Sequence, residues 1–139
     1  MLFDAIALQY LYGESSFNSG STTYDLNLYV GDYYNCQWDA SGTDLLDAAN
    51  LTYGVFIDLD GGQLSNGSNT HHVGYVTSIT DYLAMSLKNP SKWTWLWGEY
   101  ENVNGSPYGD VITGNDLDNV INGGSGFLVR SLSVIESMV

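Results

Sequence analysis

Residues 38 to 47 read WDASGTDLLD, and their two aspartates next to the tight turn, Asp39 and Asp44, flank Ser41-Gly42. Two carboxylates on either side of a glycine turn, with carbonyls able to point inward, are the all-oxygen donor set that a hard divalent cation such as calcium takes. The same composition also makes an Asx turn that holds no ion. By spacing alone, a cation site and a structural turn both stand.

A second stretch of oxygen-rich turns lies near the C-terminus and carries a period. Gly105, Gly114 and Gly123 fall nine residues apart, and so do Val103, Ile112 and Ile121. Set against the nonapeptide G-G-x-G-x-D-x-U-x, residues 105–113 read GSPYGDVIT, 114–122 read GNDLDNVIN and 123–131 read GGSGFLVRS. Such a period marks a parallel β-roll with calcium in its turns, where glycines allow the tight bend and a carboxylate completes the cage. The acidic position holds Glu101, Asp110 and Asn119 and fails at Leu128; the aliphatic position holds Ile112 and Ile121, then Arg130. The pattern therefore runs for about two turns and stops. Ordinary Gly/Asn/Asp turns between short strands are the plainer reading, and the register across three turns favours the roll.

Sixteen acidic side chains against three basic ones give the 139-residue chain a net charge of -13. That charge repels phosphate backbones and anionic membranes, which excludes nucleic acid as a partner class. Crowded carboxylates also suit a calcium protein, since they repel one another until a divalent cation arrives. An aromatic content of 14% argues against disorder. Cys36 is the single cysteine, so no intrachain disulfide forms. The first residues lack the basic region of a cleavable export signal, and no stretch approaches the roughly 18 apolar residues of a membrane span.

The elements that must position these turns follow from periodicity. MLFDAIALQYLYG reads as a helix over residues 1–13 stopped by Gly13, apolar nearly all round and so in need of cover on every side. Strand-like runs follow at 24–29, 33–38, 54–59 and 73–77, with a long polar loop at 61–70, a second helix over 79–87 and the segment 93–97 leading into the roll. The expected fold is mainly β: a short N-terminal helix, a β-sandwich-like module over 14–100, a short parallel β-roll over 101–126 and a tail over 127–139.

MLFDAIALQYLYG, WDASGTDLLD and ENVNGSPYGDVITGNDLDNVINGGSG occur in the order and spacing of the C-terminal region of the serralysins, secreted bacterial zinc metalloproteases whose catalytic domain precedes a calcium-filled β-roll. The resemblance runs from residue 1 to about 126 and is poor over 61–98. It implies one calcium between the NSGST loop (Asn18, Gly20, Thr22) and the turn (Asp39, Ser41, Asp44). It implies a second shared by Gly42 and Asp44 with Glu99 and Glu101. Three positions depart from the family pattern. Asn18 stands where relatives carry a basic residue that gives only its carbonyl, and Ser41 replaces a glycine, which is tolerable at negative φ. Glu99 replaces a threonine, is expected to give its carbonyl as the threonine does, and adds charge beside the ion. In the roll, Asp110 is expected to pair with position 128, a leucine, so about two ions are expected upstream and at most one weak ion in the roll.

The zinc chemistry of that family needs two histidines one helical turn apart with an adjacent glutamate. This chain has His71 and His72, side by side, which in an extended segment point to opposite faces and read as a surface-loop pair. The resemblance thus implies a calcium-binding module without zinc and without catalysis of its own. Its opening helix belongs against an upstream metalloprotease domain, and its export is of the type I kind. Two alternatives stay open: a piece of a split or truncated zinc endopeptidase, or an adhesive module whose alternating Trp93, Trp95 and Trp97 stack on sugars. Core packing is the plainer use of that tryptophan row.

Overall fold

The computed structural model describes residues 1–26, 33–126, 128–130 and 134–137, of which Tyr33 and the last two stretches are described as backbone. Strand runs 27–29 and the tail beyond 130 fall largely outside the described residues. The elements run α1 (Leu2–Tyr12), β1 (Thr23–Asp25), β2 (Tyr33–Asp39), β3 (Leu45–Asp47), β4 (Val55–Asp58), β5 (Gln63–Ser65), β6 (Thr70–Ser78), α2 (Ile79–Ala84), β7 (Lys92–Gly98), β8 (Asn102–Asn104), β9 (Val111–Thr113), β10 (Asn119–Asn122), β11 (Leu128–Arg130) and β12 (Val134–Ser137).

They form two sheets, as a mainly β, sandwich-like fold requires. One is all parallel in the order β1-β3-β8-β10-β12; the other runs β11-β9-β4-β6-β7-β2, with β5 added as a hairpin on β6. From β8 onward the chain alternates between the sheets, β8 and β10 in the first, β9 and β11 in the second. The nine-residue period is the cause: each half-coil supplies one strand, so residues 18 apart stack, as Val103 does on Ile121. Upstream the same rungs continue without the period. Leu46 stacks on Val103 and Ile57 on Ile112, and all five of these aliphatic side chains are fully buried. Each such side chain contributes on the order of 1.5–3 kcal/mol by leaving water, and together they join the roll to the upstream module in one core.

The segment that resembles the serralysins poorly has its own architecture. Strand β6 is antiparallel to both β4 and β7, so residues 59–98 insert antiparallel strands into an otherwise parallel coil. The polar run 61–70, expected as a loop, folds into the β5–β6 hairpin instead. Asn66 closes it: its side-chain oxygen accepts from the backbone of Ser68 at 3.1 Å and Asn69 at 2.9 Å, and Gly67 takes the positive φ of 97° that the turn needs. The histidines follow on β6, not in a surface loop, and His72 is buried.

The third nonapeptide departs from its expected register. Leu128 pairs with Val111 and Val129 with Ile112, so Val129 rather than Arg130 occupies the rung of Ile112. The connection from β10 to β11 is one residue shorter than the period demands, and a one-residue shift exchanges which positions share a face.

Helix α1 ends at Gly13, with φ of 84°, as expected. It lies on the outer face of the second sheet, where Leu2 packs with Val73 and Trp97, and Gln9 accepts a hydrogen bond from the Trp97 indole at 2.8 Å. Cover comes from that side only: Phe3, Leu8, Tyr10, Leu11 and Tyr12 stay exposed. The tryptophan row packs within the molecule. Trp97 and Trp93 are buried, Trp93 stacks on Tyr75 at 4.4 Å, and Trp95 meets Trp93 edge-on at 5.3 Å.

Candidate metal centre

Loop 18–22, the 39–44 turn after β2 and the 98–101 segment after β7 meet at one end of the sheets. The pairing of β2 with β7 sets Asp39 beside Gly98, and the backbone of Gly98, at φ 120°, runs so close that a Cβ there would stand 2.2 Å from the Asp39 carbonyl oxygen. Gly42, at φ 145°, touches Gly20 in the same way, a Cβ falling 2.6 Å from the Gly20 oxygen. These two contacts need glycine and fix how the loops approach. Among the described non-glycine residues, Asn18 has a positive φ, 56°, a conformation asparagine tolerates. Ser41 is not among them, which is the condition for its replacing a glycine.

Asp39 and Asp44 are both fully buried. The Asp39 Oδ2 atom accepts from the Tyr24 hydroxyl, which in turn accepts from Asn18 Nδ2 at 2.8 Å. The Asp44 Oδ1 atom accepts from the Thr22 backbone at 2.8 Å, and the Asp44 backbone donates to Glu101 Oε2 at 2.7 Å. Thr22 Oγ1 and Ser41 Oγ tie the loops further, donating to the carbonyls of Gly20 at 2.9 Å and Ser19 at 3.2 Å. Two atoms are left over: Asp39 Oδ1 and Asp44 Oδ2 are buried with no hydrogen-bond partner.

The electrostatics match. The two carboxyls are near enough for each to shift the other. Burial, with the charges of Asp39 and Glu101 alongside, pushes the Asp44 carboxyl up to about 7. Burial raises Asp39, and the neighbouring Tyr24, Asp44 and Ser41 backbone offset it only in part. Glu101 is raised by burial and by the neighbouring Asp39 and Glu99 charges. Acidic groups so crowded and so dry favour a proton or a cation between them. Among the described residues no set of three or more His, Cys, Asp or Glu side chains is arranged as a metal cage. The oxygens on offer are the two free carboxylate atoms, Glu101 and the loop carbonyls, a hard donor set.

The side chains of Glu99, expected to give its carbonyl, and of Asp110 are engaged within the protein. The Glu99 carboxylate turns to the histidines, accepting from the His72 backbone at 3.2 Å and lying 2.5 Å from His72 Nδ1 and 3.7 Å from His71 Nδ1. His71 also meets Glu14 at 2.6 Å and His72 meets Asp116 at 2.7 Å. Burial alone would lower the His72 pKa, but Glu99 and Asp116 outweigh it and raise it. Asp110 lies in the roll, where Oδ1 accepts from Val55 N at 2.8 Å and Ser106 Oγ at 2.6 Å and Oδ2 from Ser106 N at 2.7 Å.

Tyr24, Gly98, Glu14 and Asp116 were not legible in the sequence as site residues, and Glu99 was expected only as a ligand, not as a partner of the histidines. Tyr24 carried a signal, being two residues past Thr22 in a strand whose alternation turns it inward. The pairing of the histidines with Glu14, Glu99 and Asp116, which come from distant segments, left none.

Over 134 aligned residues the chain is 30% identical to the serralysin of Proteus mirabilis. The match takes in 87% of this chain and 23% of the relative, so the chain spans less than a quarter of that protein's length. No family model matches the chain. No solved structure matches it.

Proposed function

We propose that this chain is a calcium-binding, non-catalytic module of the kind that follows the catalytic domain in serralysins, working outside the cell after type I export. One observation carries the reading: two buried aspartates whose charges act on each other, each with one carboxylate oxygen held by the protein and one without a partner. Asp39 Oδ1, Asp44 Oδ2 and Glu101, with the carbonyls of Asn18, Gly20, Ser41 and Gly42, are the groups that would hold calcium. The ion would supply positive charge to a cluster that otherwise keeps itself together by retaining protons. A cation bound only by the folded chain stabilises it by about 2.7 kcal/mol at a hundredfold excess over Kd. Where calcium is scarce the chain loosens, and where it is plentiful the three loops close.

The test is titration of the chelated chain with calcium by calorimetry, with circular dichroism in parallel. About two ions and a rise in melting temperature are expected. A chain equally stable in chelator that releases no heat with calcium would overturn the proposal.

The upstream zinc domain is the second part of the proposal, and the outer surface of α1 supports it. Phe3, Tyr10, Leu11 and Tyr12 are 66–83% exposed along one short helix, an apolar surface that suits a protein partner. A serralysin catalytic domain supplied in trans is expected to bind this chain and not its Leu11→Asp variant.

A further inference from the structure

Tyr24 pairs with Leu46 in the β1–β3 register and is buried, its ring 5.6 Å from that of Tyr100. A phenol hydroxyl has a single proton to give. Asn18 Nδ2 donates to the Tyr24 oxygen, so the Tyr24 proton goes to Asp39 Oδ2. Burial and the adjacent Asp39 carboxylate hold the phenol well above its ordinary range, which keeps it a donor. Asp39 is thereby fixed through one oxygen, as Asp44 is fixed through one oxygen by the Thr22 backbone. In both, the other oxygen is the atom left without a partner. The backbone of loop 18–22 holds one aspartate, and its Asn18 side chain, through Tyr24, holds the other.

We propose that Tyr24 is a positioning residue for the metal centre: the Asn18–Tyr24–Asp39 relay orients the Asp39 carboxylate so that Oδ1 alone is offered to a divalent cation. The inference rests on the calcium reading above and adds to it a residue whose side chain holds a ligand without being one.

The test compares Tyr24→Phe with Tyr100→Phe. Tyr100 is also buried, but its hydroxyl donates to the Gln37 carbonyl at 3.0 Å and not to the carboxylates. Each variant loses a hydroxyl from the same cluster, so the two should melt at similar temperatures in chelator. Calcium titrated calorimetrically is expected to bind Tyr24→Phe about tenfold more weakly and Tyr100→Phe within about twofold of the unaltered chain, the scale of one hydrogen bond to a charged group. Asn18→Gly, which accommodates the positive φ while removing the amide donor, is expected to weaken binding about threefold. It also serves if Tyr24→Phe does not fold. At saturating calcium the change in tyrosine absorption should be smaller in Tyr24→Phe than in Tyr100→Phe. Normal binding by the unaltered chain with Tyr24→Phe or Asn18→Gly unchanged in affinity overturns the relay alone. No binding by the unaltered chain overturns the calcium reading and the relay together.

Discussion

Asp44 and Asp110 are both buried acids in tight, glycine-flanked turns, yet their surroundings differ. Asp110 receives three hydrogen bonds, two from Ser106 and one from the Val55 backbone, so both its oxygens are engaged. Asp44 receives one from Thr22, keeps Oδ2 without a partner and faces the Asp39 and Glu101 charges. The next turn of the roll repeats the Asp110 arrangement with neutral groups: Asn115 N donates to Asn119 Oδ1 at 2.9 Å, and Asn119 Nδ2 returns to Asn115 Oδ1 at 2.8 Å. Buried acids in tight turns thus differ in whether the protein satisfies both their oxygens. What distinguishes the loop cluster is a shortage of donors combined with a surplus of like charge.

The strongest way to break that contrast is Asp44→Asn. Its carbonyl can still accept from Thr22, and its amide can donate towards Asp39, so the variant is expected to melt at or above the temperature of the unaltered chain in chelator. Calcium affinity should fall at least about 100-fold, because the shared carboxylate is gone. A variant that keeps its affinity would place the ion elsewhere.

The pH dependence sharpens the same contrast. A carboxyl whose folded pKa is raised gives stability that is complete below its unfolded value and lost as pH rises through the folded one. Asp44 moves from 3.8 to about 7, and Asp39 and Glu101 move upward with it. The melting temperature in chelator should therefore decline from about pH 4.5 to pH 7.5, and saturating calcium should flatten the decline. Asp44→Asn should flatten it without calcium.

Asp110→Asn has the opposite sign to Asp44→Asn. An amide in place of one Asp110 oxygen sets a donor against the donors of Ser106 or Val55, with an expected loss of about 2 kcal/mol in chelator and calcium affinity unchanged. Chemical denaturation in chelator and in calcium measures both. A gain in stability would mean that Asp110 is also short of donors.

The two regions were also unequally legible in the sequence. The roll announced itself because its period is local: Val103, Ile112 and Ile121 recur every nine residues and become successive rungs. Even there, the shorter β10–β11 connection moved Val129 into the rung where Arg130 was expected. The loop cluster was legible in its acids and glycines but not in its donors, since Tyr24 and Gly98 reach Asp39 only through tertiary approach. The histidines were misread for a related reason. They lie on β6 of an inserted antiparallel hairpin that follows no repeat, and their partners Glu14, Glu99 and Asp116 come from three other segments.

The smallest expected effect tests whether the roll turns are closed to calcium or merely lack charge. In Asn119→Asp, one oxygen still accepts from the Asn115 backbone, but the other replaces the amide that donates to Asn115 Oδ1. Two acceptors then face each other, and the Asn115 amide cannot flip to relieve them without giving up its bond to the Tyr100 carbonyl at 2.8 Å. The expected loss in chelator is about 1 kcal/mol. Added calcium should raise the melting temperature by no more than it does for the unaltered chain, and the calorimetric stoichiometry should stay the same. If the variant instead takes up one further ion and recovers its stability, charge alone converts a satisfied turn into a site. The difference between the two regions would then lie in a single amide at position 119 and not in the way their backbones are built.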